Sequence, residues 1–191
     1  MLVETGKLHG IFSMIPADEQ PVSDRYMTAS DASSSLTRTE LALIRANQAF
    51  ERWSFFLHKS IGGTPLAPQD LTLLHSIRMR GGAQNLSELL LFLNRNDVST
   101  IQYSLRKIEQ DGLIERITGN SRREAGYRLT EKGHEITDAY SDRREEVLIG
   151  LLEDVNGLKA ALENAAAALE RLTGLYDQST KTVLNRNILR G

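Results

Sequence analysis

The chain has 191 residues, 40% of them hydrophobic, with no cysteine and a formal net charge of −2. That length suits one ordinary domain with extensions and a core that needs no staples, and the missing cysteines exclude disulfides, thiolate metal sites and thiol redox sensing. No apolar run reaches the twenty or so residues of a membrane span, and segment 1–13 is too polar for a signal peptide, so a soluble cytoplasmic protein is expected.

Segment 1–36, with Pro16, Pro21 and the run Ser30-Asp31-Ala32-Ser33-Ser34-Ser35, lacks sustained periodicity and reads as a flexible arm. A helix is expected from Thr37-Arg38-Thr39-Glu40, where Thr37 and Glu40 have capping-box spacing. Leu43, Ala46, Phe50, Trp53 and Leu57 then form one apolar stripe, and Gly62-Gly63 ends the helix. Pro68 suits the first turn of a second helix, whose inner face is Leu71, Leu74 and Ile77 and whose stop is Gly81-Gly82. A short third helix is expected after Asn85, with Leu86, Leu89, Leu90 and Leu93, followed by a turn at Asn94-Arg95-Asn96. Asp97 is the expected cap of a fourth helix with Val98, Ile101, Leu105 and Ile108 inside, stopped at Asp111-Gly112.

After Gly112 the period changes from helical to alternating. Leu113 to Thr118 and Gly126 to Leu129 flank Gly119-Asn120-Ser121, which is the pattern of a β-hairpin. Thr130 caps a fifth helix to about Ile149, and Asn156-Gly157 interrupts it. Leu158, Leu162, Ala165, Leu169, Leu172 and Tyr176 then make a narrow heptad-like seam. Residues 177–191 read as a polar tail in which Val183, Leu184, Ile188 and Leu189 form a further turn or dock on a partner.

Helix, helix, short helix, turn, amphipathic helix, hairpin, helix is the order of a winged helix-turn-helix: mostly α with a small β-hairpin. The fourth helix, 97–111, then has the role of a recognition helix, with one face buried and the other turned to a major groove about 12 Å wide. Its outward positions include Ser99, Thr100, Gln102 and Tyr103 near the amino end, assigned to base contacts. Arg95, Arg106 and Lys107 are assigned to the phosphate backbone, and Arg122 and Arg123 at the hairpin tip to phosphates or the minor groove. Charge agrees in direction. From Arg78 to Arg128 nine basic residues meet six acidic ones, whereas from Glu131 to Tyr176 ten acidic residues meet five basic ones.

The run from Ser99 to Ile114, with Ile108-Glu109-Gln110-Asp111-Gly112-Leu113 at its end, resembles the recognition helix and first wing strand of the multiple-antibiotic-resistance regulator (MarR) family. Arg122-Arg123 and Leu129-Thr130-Glu131-Lys132-Gly133 resemble that family's wing and following helix, and the likeness spans roughly residues 40–150. Ser121 departs from the family's usual aspartate, and Tyr103 from a commonly basic position. The resemblance implies a homodimer built from the first and last helices, reading pseudo-palindromic double-stranded DNA as a transcriptional regulator. The seam at 158–176 agrees, because a lone copy would leave it wet. The resulting division is an arm (1–36), a winged domain with a first dimerisation helix (37–150), and a C-terminal dimerisation helix with tail (151–191).

Trp53, Phe56, His75 and Tyr140 are candidates for an effector pocket, since the resemblance implies small aromatic effectors in that region; ordinary core packing accounts for them too and is the preferred reading. The four histidines have no convincing metal spacing, and Glu145-Glu146 and Glu153-Asp154 read as charged helix surface. No phosphate-cradling loop or nucleophile elbow is present, so no cofactor, metal or enzymatic activity is expected. The alternative is a winged-helix protein-interaction module that does not bind DNA.

Overall fold

The computed structural model describes residues 30–118 and 126–188. Two compact units divide the chain at Arg52 and Trp53. The first helix, α1 (Asp31–Ser60), runs through that division. It begins six residues before Thr37, which corrects the expected arm boundary at 36 and the expected Thr37 cap. The reason is local: Ser30 Oγ accepts from the Ser33 amide at 3.2 Å, Asp31 suits the positive helix start, and no proline intervenes before Thr37. In the first unit this helix exposes Leu36, Leu43, Ile44 and Phe50.

In the second unit the winged domain is built from α2 (Pro68–Arg80), α3 (Leu86–Phe92), α4 (Val98–Gln110), β1 (Ile114–Ile117), β2 (Gly126–Leu129) and α5 (Glu131–Arg144). Leu71, Leu74 and Ile77 of α2, Leu89 of α3, and Ile101, Leu105 and Ile108 of α4 share one buried core with Leu113, Ile114 and Leu129. Val98 departs from expectation: at 44% exposed it lies outside the core. Asn85 and Glu88 cap α3 reciprocally, the Glu88 amide donating to Asn85 Oδ1 at 3.0 Å and the Asn85 amide to Glu88 Oε2 at 2.9 Å. Asp97 makes no side-chain cap for α4; its carboxylate accepts from Arg95 Nε at 2.6 Å instead.

The two strands pair antiparallel, with Ile114 opposite Leu129, Glu115 opposite Arg128 and Arg116 opposite Tyr127. Gln84 adds a bridge on the other side of Tyr127, with backbone bonds of 2.8 and 2.9 Å. Gly126 permits this approach, because a Cβ there would lie 2.6 Å from the Gln84 carbonyl. The expected hairpin tip, Gly119 to Ala125, lies outside the described residues, and with it Arg122 and Arg123.

The joint between α4, the hairpin and α5 is tightly tied. Thr130 Oγ1 accepts from the Gly133 amide at 3.0 Å and donates to the Gly112 carbonyl at 2.7 Å. Lys132 Nζ reaches the Asp111 carbonyl at 2.7 Å. Gly133 sits so close to the chain after α4 that a Cβ would fall 2.0 Å from the Leu113 carbonyl oxygen. These contacts explain why leucine, threonine and, three residues after the threonine, glycine occur together here.

Beyond α5 the chain passes through a π-helical turn (Glu145–Ile149) and α6 (Gly150–Glu153) into α7 (Leu158–Ile188). Gly157, at φ +76°, marks the expected interruption. The segment read as a separate tail is instead continuous with α7 as far as Ile188, and Leu189 lies outside the described residues. Leu162, Leu175, Tyr176, Val183 and Leu184 are exposed on this helix.

Candidate nucleic-acid interface

The outer side of α4 is open. Ser99, Gln102, Tyr103, Arg106 and Gln110 are exposed, and Thr100 is half-buried. Ile101, Ser104, Leu105 and Ile108 hold the opposite side in the core, so the helix cannot rotate without exposing them. Between α4 and the hairpin runs a groove of about 1020 Å³, to which α4 contributes Gln102, Arg106 and Glu109 and the hairpin contributes Arg116, Thr118 and Tyr127.

The cations assigned from sequence separate into two kinds. Arg95 is bound to Asp97 through two nitrogens; that hydrogen bonding holds the Asp97 carboxyl down at about 2 and raises the guanidinium's pKa. Lys107 donates to Asp70 Oδ2 at 2.8 Å, and the hydrogen bond to this buried carboxylate raises the ammonium's pKa. Asp70 Oδ2 also accepts from the Ala67 amide at 3.1 Å, so the start of α2 and the middle of α4 are tied to one oxygen.

By contrast, Arg106 and Arg116 have no ion pair among the described residues. Arg116 was not singled out from the sequence. The signal lay in strand register: Arg128 faces Glu115 across the hairpin and pairs with it at 2.7 Å, whereas Arg116 faces Tyr127.

Three of the four candidate effector-pocket residues come together. The Tyr140 hydroxyl donates to Ser54 Oγ at 3.0 Å, the His75 ring lies 4.2 Å from the Tyr140 ring, and Trp53 meets Tyr140 edge-on at 6.1 Å. Phe56 is apart from them, 62% exposed and packed edge-on against Phe55. His75 Nε2 is buried with no hydrogen bond among the described residues; burial, helped by nearby His58, pushes the ring's pKa down to about 4. Burial also raises the Tyr140 phenol's pKa, against the opposing effects of Ser54 and Arg144. Among the described residues no cluster of three or more potential metal ligands occurs, and no helix is long and apolar enough to cross a membrane.

The family model for a winged helix DNA-binding domain matches residues 66–133, which run from the start of the buried core to the glycine of α5. A solved MarR family transcription regulator is 19% identical and superposes over 77% of this chain and 95% of its own, with a TM-score of 0.61. The chain has the MarR-like winged helix-turn-helix fold. Staphylococcus aureus MepR, solved as a DNA complex, is 14% identical over 70% of this chain and 94% of its own, at a TM-score of 0.56. A mutant of Escherichia coli MarR complexed with operator DNA is 19% identical over 77% of this chain and 99% of its own, at 0.54. No curated protein matches the chain in sequence. In this MarR-like domain α3 and α4 are the helix-turn-helix and β1–β2 is the wing.

Proposed function

We propose that the chain is a sequence-specific double-stranded-DNA-binding transcriptional regulator, acting as a homodimer on pseudo-palindromic sites, and not an enzyme. The observation that carries this reading is the open outer side of α4 beside a groove flanked by Arg106 and Arg116, whose guanidiniums have no ion pair among the described residues. The amino-terminal half of α4 offers Ser99, Thr100, Gln102 and Tyr103 to base edges, with Gln102 suited to adenine. Arg106 and Arg116 take phosphates, together with Arg122 and Arg123 assigned from sequence. Arg95 and Lys107 contribute positive potential from within their ion pairs, so their individual share is smaller. Similar folds solved as DNA complexes support the reading.

The dimer rests on the exposed apolar row of α7, which one copy leaves in water. The mutual ring packing of Trp53, His75 and Tyr140 supports core packing as the preferred reading there, with a small-effector site as its alternative; Phe56 stands outside the cluster.

Selection from a random duplex pool, followed by fluorescence anisotropy across a salt series, tests the assignment. Arg106→Ala, Arg116→Ala and Arg123→Ala each weaken binding to every site and reduce the salt slope by about one unit. Gln102→Ala relaxes preference at one base position, costing about 1–3 kcal/mol there. If the wild-type protein shows no salt-dependent duplex affinity, the reading fails and a partner protein on the outer side of α4 takes its place.

A further inference from the structure

On the α4 side the groove carries Gln102, Arg106 and Glu109, spaced four and three residues apart and therefore on one face of the helix. Along that face the charge runs from neutral to positive to negative. Glu109 is one residue short of the end of α4, and β1 starts at Ile114, so Glu109 stands at the end of the groove where helix and hairpin join. Gln102 and Thr118 line the groove away from that junction.

Attraction for phosphates does not account for an acid in this place. Glu109 is half-buried, whereas Arg106 is exposed, and Glu109 has no ion pair among the described residues. It also lies in the last turn of α4, where the helix dipole disfavours an anion. Arg106 is three residues away, about 4.5 Å along the helix axis. That is well inside the Debye length of about 8 Å at physiological salt. A phosphate attracted at Arg106 is therefore repelled as soon as it slides toward the junction.

We propose that Glu109 is a specificity-determining residue that acts by repulsion: its carboxylate bars DNA phosphates from the junction end of the groove and so fixes where the sugar-phosphate strand lies against α4. On the preferred site the strand seats at Arg106 and Arg116 and its phosphates stay clear of Glu109. A duplex of unrelated sequence is held by backbone attraction alone and samples many registers. Those that bring a phosphate to Glu109 are lost. Discrimination is a difference of affinities, and a penalty on the wrong complex enlarges it just as a contact in the right one does. The inference rests on the duplex-binding reading and adds to it a residue that touches no base.

The test compares the full chain with its Glu109→Gln, Glu109→Ala and Glu153→Gln variants by fluorescence anisotropy. Each is titrated on the duplex selected from the random pool and on a scrambled duplex of the same length. Glu153, exposed on α6, controls for the change in net charge. At about 0.1 M salt both Glu109 variants bind the scrambled duplex about three- to tenfold more tightly, with a salt slope steeper by about one unit. They bind the selected duplex less than about twofold more tightly, so the ratio between the two falls. Two substitutions at Glu109 keep the result decisive if one of them does not fold. The proposal is overturned if scrambled-duplex affinity is unchanged, if both duplexes gain equally, or if Glu153→Gln reproduces the gain. Loss of preference at a single base position also overturns it, because Glu109 would then accept from a cytosine amine. A wild-type chain without salt-dependent duplex affinity overturns the functional reading and this inference together, whereas the variant outcomes bear on Glu109 alone.

Discussion

Arg106 and Lys107 are adjacent in sequence and differ completely in situation. The α4 geometry leaves Arg106 exposed in the groove, while Lys107, 34% exposed at its side chain, reaches the Asp70 carboxylate, which is 1% exposed. Removing the ammonium strands a buried charge, so Lys107→Met should lower unfolding free energy by about 2–3 kcal/mol in urea titration, less than a fully buried pair because the lysine is partly wet. Arg106→Ala should leave that stability within about 0.5 kcal/mol while weakening DNA binding. Equal destabilisation by the two would show that the ion pair does no more for the fold than a surface cation. A residue list from sequence treats both as basic positions on a helix, since charge is legible there and a partner 37 positions away is not.

His75 makes a second prediction at this scale. Its pKa is about 4 in the folded protein against an ordinary value of 6.5, so between these pH values the unfolded chain binds the proton and the folded chain does not. Stability is therefore level above about pH 7 and declines as pH falls from about 6.5 toward about 4, by about 2–3 kcal/mol from this residue. Denaturant midpoints for His75→Phe should lose that part of the slope, and an unchanged pH profile would place the ring in water. The sequence located His75 on the α2 helix but could not show that Nε2 has no partner, because satisfaction depends on which atoms the fold brings near.

At the scale of elements, periodicity and stop signals carried most of the information. Ile101, Leu105 and Ile108 recur on a helical repeat and are buried; Gly112, at φ +72°, ends α4; and the strand alternation placed β1 and β2. The α1 start went the other way, because Thr37 and Glu40 have capping-box spacing while Ser30 already supplies an N-cap bond upstream, and a capping box identifies a possible helix start without excluding an earlier one. Gly133 tests the joint between elements. Gly133→Ala forces a Cβ against the Leu113 carbonyl, a backbone atom that cannot swing aside, and should lower the unfolding free energy by about 3 kcal/mol or more. A melting temperature equal to wild type would mean that α5 can withdraw from the wing without loss.

At the scale of the whole molecule, the governing question is what covers the apolar row of α7. Leu162 is 47% exposed and Tyr176 39% exposed in a single copy. If a second copy covers them, Leu162→Glu with Tyr176→Glu should shift the sedimenting species from dimer to monomer and weaken binding to a two-half-site duplex by more than tenfold, roughly the loss expected when half the contacts are no longer tethered. A wild-type chain that sediments as a monomer at micromolar concentration would remove the dimer from the proposal.

The sequence by itself determined the helices of the winged domain (though not how far the first and last helices extend), where the hairpin strands lie, which side of α4 is apolar, and therefore the winged helix-turn-helix order. These follow from local propensity and from repeats of two and of three to four residues, which operate between near neighbours along the chain. Tertiary structure alone decided which cations stay available, since Asp70 claims Lys107 and Glu115 claims Arg128 while Arg106 and Arg116 have no ion pair among the described residues. It also decided that Phe56 stands apart from Tyr140 and that His58 Nδ1 is buried without a donor among the described residues. Each of these depends on distances between residues remote in sequence, and a side chain's charge or hydrogen-bonding capacity becomes a function only when the fold has settled what it already touches.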